Sequence, residues 1–346
     1  MRTQRLCCLV LGVLFLFTAC AGQDAQTDIA EENKTSFFAM DTYVTLTAYG
    51  KDSREALSLA QGKMEALERL WSVTDENSEI YRVNHSGGTA VEVSDETAAL
   101  LHFALGMADK TGGALEPTIY PVLTAWGFTT GEQRIPTEKE IEGLLAAVGY
   151  DRVKTEGNMV LLEQGMMLDL GAVGKGYAGD LAAEVLRNHN ITSALLDIGG
   201  NIQAIGAKPD GTPWRLGLRD PFSGGTIGIL QVTDAAVVTS GNYEKFFVGQ
   251  DGETYGHLID PASGRPAKSG LASVTVIAKE GRICDALSTA LFIMGADKAV
   301  EYWNDNMDFE MILITDEGEI FVTEGIADSF IVDDAHSDMS VHMVGR

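Results

Sequence analysis

The segment over residues 169–180 combines residue types suited to binding a ligand. Glycines at positions 171, 174 and 176 predict a turn between a short apolar strand, residues 166–170, and a helix that runs to Arg187. Such a turn exposes backbone amides and carbonyls, and the start of the following helix favours an anion. It is not a Walker A loop, because the first glycine and the Ser or Thr after Lys175 are missing. A purely structural glycine turn is the alternative.

Asp285 and Thr289 are the second candidate site. They are four residues apart in a helix predicted over residues 285–294, so their side chains share one face. A carboxylate and a hydroxyl are hard oxygen ligands suited to Mg²⁺. The alternative is an acidic residue at a helix N-terminus followed by a threonine that faces the core.

His257 is the third candidate, because it precedes a turn rich in glycine and proline. A histidine here can act as a general base or contact a phosphate, and the alternative is a structural hydrogen-bonding role.

No G-x-S-x-G motif is present, which argues against a serine hydrolase. Cys284 is the only cysteine beyond residue 20, and the histidines lack zinc-site spacing, which argues against zinc.

The composition excludes one class of partner. The chain has 346 residues, with 50 Asp plus Glu against 25 Lys plus Arg, and its net charge is -25. Nucleic-acid binding depends on neutralising phosphates with basic side chains, so nucleic acid is not an expected partner. An anionic nucleotide would need a metal ion or a nest of amides to offset the acidic field.

The N-terminus has the features of an export signal. Arg2 and Arg5 precede an apolar run over residues 6–19, which is too short to span a membrane comfortably. Small residues before Cys20 resemble a bacterial lipoprotein cleavage site, so we expect lipidation of Cys20 and anchoring to the outer face of the bacterial cytoplasmic membrane. Ordinary signal cleavage nearby, or a retained anchor helix, are the alternatives. The predicted organisation is a signal peptide (1–19), a flexible tether (20–36), one domain (37–335) and a tail (336–346).

Helices and strands alternate without a regular βαβ rhythm, which favours an α+β fold over a doubly wound parallel sheet. Asp52 with Glu55 could form a capping box at the first helix; Ser94 caps the second, and Thr137 with Glu140 the third. The pattern predicts helices over 52–71 and 94–110, strands over 41–49, 194–198 and 273–278, and a hairpin of 311–315 with 320–323.

Taken together and in order, these segments resemble the ApbE family, the FAD:protein FMN transferases. The resemblance covers nearly all of the chain after the signal. The residues that carry it are 40–42, 78–80 with Asn84, 111–118, 169–180, 197–201, 239–243, 257–266 and 285–295.

The resemblance implies a T-fold-type α+β architecture in a single large domain of two lobes. It implies Mg²⁺ held by the backbone oxygen of Ala172 and the side chains of Asp285 and Thr289. His257 and Asp285 would be catalytic. Thr74 occupies a position that is aromatic in some members. The FAD contacts that the resemblance implies fall on Met40, Thr74, Ala114, Leu115, Glu116, Asp169, Lys175 and His257.

The activity that the resemblance implies is transfer of FMN from FAD to a threonine hydroxyl of an acceptor protein, with release of AMP. His257 would help to deprotonate that hydroxyl. Two other functions stay open. One is a pyrophosphatase that splits FAD with water, which the non-aromatic residue Thr74 favours, and the other is a non-catalytic flavin-binding lipoprotein. Lys175 either contacts the diphosphate or pairs with Asp169 or Asp180.

Overall fold

The computed structural model describes residues 31–346, and the predicted signal and Cys20 lie outside the described residues. The first half of the fold contains five strands and most of the helices: β1 (Glu32–Ala39), β2 (Thr42–Tyr49), α1 (Ser53–Trp71), α2 (Glu79–Asn84), β3 (Val91–Glu92), α3 (Asp95–Lys110), α4 (Tyr120–Trp126), α5 (Glu138–Leu145), β4 (Lys154–Glu156), β5 (Met159–Leu161) and α6 (Gly171–Asn188).

The second half is dominated by strands, with two helices between them. The elements in order are β6 (Ala194–Ile198), β7 (Asn201–Ile205), β8 (Trp214–Arg219), β9 (Thr226–Val232), β10 (Ala236–Gly241), β11 (Phe246–Val248), β12 (Thr254–Gly256), β13 (Ile259–Asp260), β14 (Arg265–Pro266), β15 (Leu271–Ala278), α7 (Gly281–Met294), α8 (Ala296–Asp305), β16 (Glu310–Thr315), β17 (Ile320–Thr323), β18 (Phe330–Val332) and β19 (Val341–Val344). None of the helices within residues 31–346 is long and apolar enough to cross a lipid bilayer.

A nine-stranded sheet organises the molecule, in the order β1-β2-β6-β7-β10-β15-β16-β17-β19. Neighbouring strands are antiparallel except for β17 and β19, which are parallel. The mixture of this sheet with packed helices confirms the predicted α+β class. The predicted hairpin of residues 311–315 with 320–323 is confirmed as β16 and β17.

Both faces of the sheet are covered by packed elements. Successive side chains of a strand point to opposite sides, so each central strand contributes to two cores. On β10, Val238 packs into the main core with α1, α6 and α7, whereas Val237 packs into a second core with β8, β9 and β18. On β15, Val276 and Ile277 divide in the same way. The sheet therefore gives α6 and α7 a rigid support on one side.

The prediction of a glycine turn before α6 is wrong. The helix begins at Gly171 and contains all of the glycines at issue, and residues 166–170 form only an isolated bridge between Met167 and Ile119. The physical reason is helix packing: a Cβ at Gly176 would lie 2.2 Å from the carbonyl oxygen of Gly281 at the start of α7. Close approach of two backbones outweighs the low helix propensity of glycine here.

The folded part of the chain extends further towards both ends than the predicted tether and tail allow. Strand β1 starts at Glu32 and pairs with β2, so the predicted tether, residues 20–36, overlaps the fold. Strand β19 lies within the predicted tail, residues 336–346, and pairs with β17. Patterns of exposed polar residues cannot reveal edge strands, because their outer faces stay in water.

The helix starts are predicted with mixed success. Ser94 accepts a hydrogen bond from the Thr97 amide, and Thr137 forms a complete capping box with Glu140, as predicted. The proposed box at Asp52 is wrong, because its side chain makes no capping hydrogen bond.

Candidate active site

One cavity of about 1000 Å³ lies where the β1–β2 turn, the β6–β7 turn, the first turn of α6 and the later turns of α7 meet. Its wall includes every residue that the sequence assigned to the site within residues 31–346. These residues are Met40, Thr74, Ala114, Leu115, Glu116, Asp169, Ala172, Lys175, His257, Asp285 and Thr289.

Asp285 is held in one orientation by two hydrogen bonds. Its side chain is 3% exposed. Oδ1 accepts a bond of 2.8 Å from Asn201 Nδ2, and Oδ2 accepts one of 2.8 Å from the Gly176 amide. Each carboxylate oxygen has a further lone pair, so the group can still ligate a cation.

Ala172 lies one helical turn before Gly176, whose amide donates to Asp285. A carbonyl oxygen has two lone pairs, so the Ala172 carbonyl can accept a further contact in the cavity wall, whether or not the Gly176 amide is shared with it. Thr289 follows Asp285 by one helical turn, and its hydroxyl lies 3.4 Å from Ser240 Oγ. The three oxygen donors are of the kind that Mg²⁺ prefers, so the residues fit that ion.

His257 is anchored by the backbone of Lys245. The Lys245 carbonyl accepts the His257 amide at 3.0 Å and lies 3.2 Å from His257 Nδ1. A carbonyl oxygen can only accept, so Nδ1 carries the proton and Nε2 keeps a free lone pair. Desolvation in the cavity wall, with the positive charge of Lys175, lowers the pKa of His257 to about 4. The ring is therefore neutral at pH 7.

Asp169 shapes the start of α6. Its Oδ1 accepts the Gly171 amide at 2.7 Å, and its own amide donates to the Pro117 carbonyl at 2.8 Å. Burial raises the pKa of Asp169, and the Gly171 amide and Lys175 oppose that rise. Asp169 thus joins the loop that contains Ala114 and Leu115 to the helix that carries Ala172.

Glu116 is a cavity residue whose carboxylate is already engaged. Oε1 accepts the amide and hydroxyl of Thr118, at 2.9 and 2.7 Å, and Oε2 accepts the Tyr150 amide at 3.1 Å. The side chain is buried. The geometry therefore gives Glu116 a role in holding the shape of its loop.

Lys175 forms no salt bridge within 4 Å in the described part of the chain, so pairing with Asp169 or Asp180 is not observed. The carboxylate of Asp180 instead accepts the amides of Gly281 and Arg282, at 2.6 and 3.0 Å. Lys175, together with Arg219 and Lys245, puts positive charge into the cavity wall of a chain whose net charge is -25.

Thr74 lies on the exposed rim, where its hydroxyl is 3.3 Å from Ser72 Oγ. Four further residues line the cavity without a site role predicted from the sequence: Asn201, Ser240, Arg219 and Lys245. The sequence offers a reason to suspect Asn201, because it directly follows the paired glycines of the β6–β7 turn. It offers none for Lys245, because the contact of Lys245 with Asp41 joins residues 204 positions apart.

Comparison with known proteins decides the family. Residues 40–313 match the ApbE family. The chain belongs to the ApbE family. An FAD:protein FMN transferase from Treponema pallidum is 30% identical, with 94% of this chain and 96% of that protein covered.

Solved ApbE structures share the fold. The crystal structure of an ApbE protein from Thermotoga maritima has a TM-score of 0.81 and 33% identity, and the match covers 86% of this chain and 99% of that chain. The flavin transferase ApbE from Vibrio cholerae has a TM-score of 0.76 and 27% identity, covering 90% and 99%. The ApbE architecture expected from the motifs is thus confirmed.

Proposed function

We propose that this chain transfers FMN from FAD to a threonine hydroxyl of an acceptor protein and releases AMP. Its ApbE membership and the names of its relatives support the reaction class. The observation that carries the proposal is the convergence of Asp285, Ala172 and Thr289 with a neutral His257 in one cavity. A cavity of about 1000 Å³ is at the upper end of the usual range for ligand sites, as a dinucleotide requires.

We propose that Mg²⁺ is held by the Ala172 carbonyl and the side chains of Asp285 and Thr289. The support is the donor set in one cavity wall: one buried, oriented carboxylate, one hydroxyl and one backbone carbonyl. When bound, Mg²⁺ would supply positive charge against the diphosphate and against the charge that develops during transfer.

The residues of the chain would bind and orient the two substrates. Lys175 would attract the FAD diphosphate, because it is a cation in the wall of an acidic protein. His257 Nε2 would take the proton from the acceptor hydroxyl, whose oxygen forms a bond to the FMN-side phosphorus while the bond to AMP breaks. The arriving diphosphate would raise the pKa of His257 from about 4, since negative charge favours the protonated ring.

The test of the transferase is direct. The enzyme is incubated with FAD, Mg²⁺ and a candidate acceptor, and the acceptor is inspected for flavin fluorescence after denaturing electrophoresis. We expect a fluorescent acceptor band that disappears when the target threonine becomes valine. Fluorescence that survives this substitution would contradict transfer to that hydroxyl.

A second candidate function is FAD hydrolysis, and exposed Thr74 favours it. A small side chain on the rim leaves this part of the cavity open to water, where an aromatic residue would cover it. Fast AMP release without an acceptor would support the hydrolase. Tight FAD binding with no turnover under any metal would instead support a flavin-binding lipoprotein without catalytic activity.

We propose that the enzyme is exported and anchored to the outer face of the bacterial cytoplasmic membrane through a lipid on Cys20. The support is the sequence alone: two arginines, the apolar run over residues 6–19, and small residues before Cys20. Cys20→Ser should move the protein from the membrane fraction to the soluble fraction. Unchanged fractionation would contradict the lipid anchor.

A further inference from the structure

We propose that Phe38 and Tyr43 form the surface on which the acceptor protein docks, with the polypeptide around its target threonine packed against the two rings. The inference rests on the proposed transferase function. Transfer to a protein requires a segment of that protein to reach the cavity, and these two side chains lie where such a segment would enter. We call this pair the rim aromatics.

The rim aromatics face the solvent side by side. Phe38 on β1 and Tyr43 on β2 are directly opposite in the antiparallel register, so their side chains lie on the same face of the sheet. Phe38 is 68% exposed and Tyr43 is 65% exposed, which is unusual for two adjacent aromatic rings. Phe38 also lines the cavity, whereas Tyr43 does not. The pair thus extends from the cavity edge onto the surface.

The two-residue turn between the strands of the rim aromatics has an unfavourable backbone conformation. Met40 and Asp41 connect β1 to β2, and their φ angles of 55° and 56° lie in the left-handed region that side chains disfavour. Two contacts fix the turn: the Met40 amide donates to Glu68 at 2.9 Å, and Asp41 pairs with the Lys245 ammonium at 2.6 Å. A docking surface on this hairpin would be preorganised.

Lys245 connects that hairpin to His257. Its side chain binds Asp41, and its carbonyl accepts the His257 amide at 3.0 Å. One residue therefore contacts both the turn next to the rim aromatics and His257. An acceptor segment packed on Phe38 and Tyr43 would lie on the side of the cavity where Lys245 and His257 are found.

The surroundings favour a polypeptide over a lipid surface as the occupant. The other exposed side chains of β1 on this face are Glu32, Lys34 and Ser36, so only the hairpin tip is apolar. A membrane-binding face needs a broad apolar area. The tip is also seven residues, about 23 Å along the strand, from Glu32 at the start of β1. Two rigid aromatic rings are typical anchors of protein interfaces.

The experiment measures transfer kinetics with full-length enzyme and an acceptor protein that the unmodified enzyme labels. Tyr43→Ala and the Phe38→Ala/Tyr43→Ala pair are compared with Tyr43→Phe, which keeps the ring, and with Phe222→Ala. Phe222 is a matched control, because it is 54% exposed and lies outside the cavity wall. We expect the KM for the acceptor to rise about tenfold in Tyr43→Ala and further in the pair. FAD affinity, from quenching of flavin fluorescence, should stay unchanged in Tyr43→Ala.

An unchanged acceptor KM in the paired variant, with a wild-type enzyme that transfers FMN, would overturn the docking surface alone. A wild-type enzyme that transfers no FMN to any acceptor would instead overturn the proposed function. Equal losses in Phe222→Ala would show a nonspecific effect and would also overturn the inference. A defect seen only when phosphatidylglycerol vesicles are present would reassign the pair to lipid contact.

Discussion

The backbone amide of Gly176 on α6 donates a hydrogen bond of 2.8 Å to Oδ2 of Asp285 on α7. The bond is possible because the two helices touch backbone to backbone, without a side chain at position 176 between them. It orients the carboxylate from the helix that also carries Ala172. One glycine thereby links the two helices that carry the three proposed metal ligands.

Replacing Gly176 tests that relationship. In Gly176→Ala the new Cβ would lie 2.2 Å from the Gly281 carbonyl oxygen and 2.7 Å from Asp285 Cβ, so α6 and α7 must separate. We expect a loss of about 1–3 kcal/mol in unfolding free energy and a severe loss of transfer. Urea denaturation and the acceptor assay measure the two effects. Gly62→Ala in α1 is the control; its Cβ meets nothing within 4 Å, so it should leave stability equal or higher.

Asn201 should govern the metal requirement. Its amide fixes Asp285 Oδ1 at 2.8 Å without lying in the proposed ligand set. In Asn201→Ala the carboxylate loses that support, and we expect the Mg²⁺ concentration for half-maximal transfer to rise about 10–100-fold. Titrating Mg²⁺ at saturating FAD measures this. A variant with the wild-type Mg²⁺ dependence would show that the Gly176 bond alone orients Asp285.

His257 should act as a base with a low pKa in the free enzyme. Because the folded pKa is about 4, the ring stays neutral at pH 5, where an unperturbed histidine would be mostly protonated. We expect kcat/KM for FAD to fall only as pH drops towards 4. His257→Ala should bind FAD and lose about 10²–10⁴-fold in transfer rate. An acid limb near pH 6.5, or full activity in His257→Ala, would contradict the assignment.

Much of this site was predictable from the sequence, for specific reasons. Asp285 and Thr289 are one helical turn apart, so helical periodicity alone placed them together. Lys245 and Arg219 were not predicted because they reach the cavity wall only through the long-range folding that brings β8 and residues 243–245 to the cavity that α6 also lines. The glycine turn was misassigned because propensity describes isolated helices, and the contact between Gly176 and Gly281 lies between two helices.

Asp180 should make stability depend on pH. Burial raises the pKa of Asp180 from 3.8 to about 6, so the folded state holds its proton more tightly than the unfolded chain. That contribution is complete below pH 3.8 and is lost as pH rises through 6, on the order of 2–3 kcal/mol. In Asp180→Asn this part of the pH dependence should disappear. Thermal denaturation of both proteins from pH 4 to 7 measures it; parallel curves would contradict the shifted pKa.

Thr74 should set the balance between transfer and hydrolysis. An aromatic ring at this exposed rim position can cover the adjoining part of the cavity and exclude water. We expect Thr74→Tyr to lower acceptor-independent AMP release several-fold while transfer is kept, and Thr74→Ser to resemble the wild type. AMP is measured by chromatography without acceptor. Equal AMP release in Thr74→Tyr and wild type would show that the rim does not control water access.

In the proposed reaction, FAD cleavage is coupled to modification of a protein. The most direct measurement follows AMP and flavin-labelled acceptor in one reaction, by chromatography and intact-protein mass spectrometry. We predict one AMP for each acceptor that gains one FMN on threonine, and neither product in Asp285→Ala. AMP release with an unmodified acceptor would contradict the transferase and identify a hydrolase.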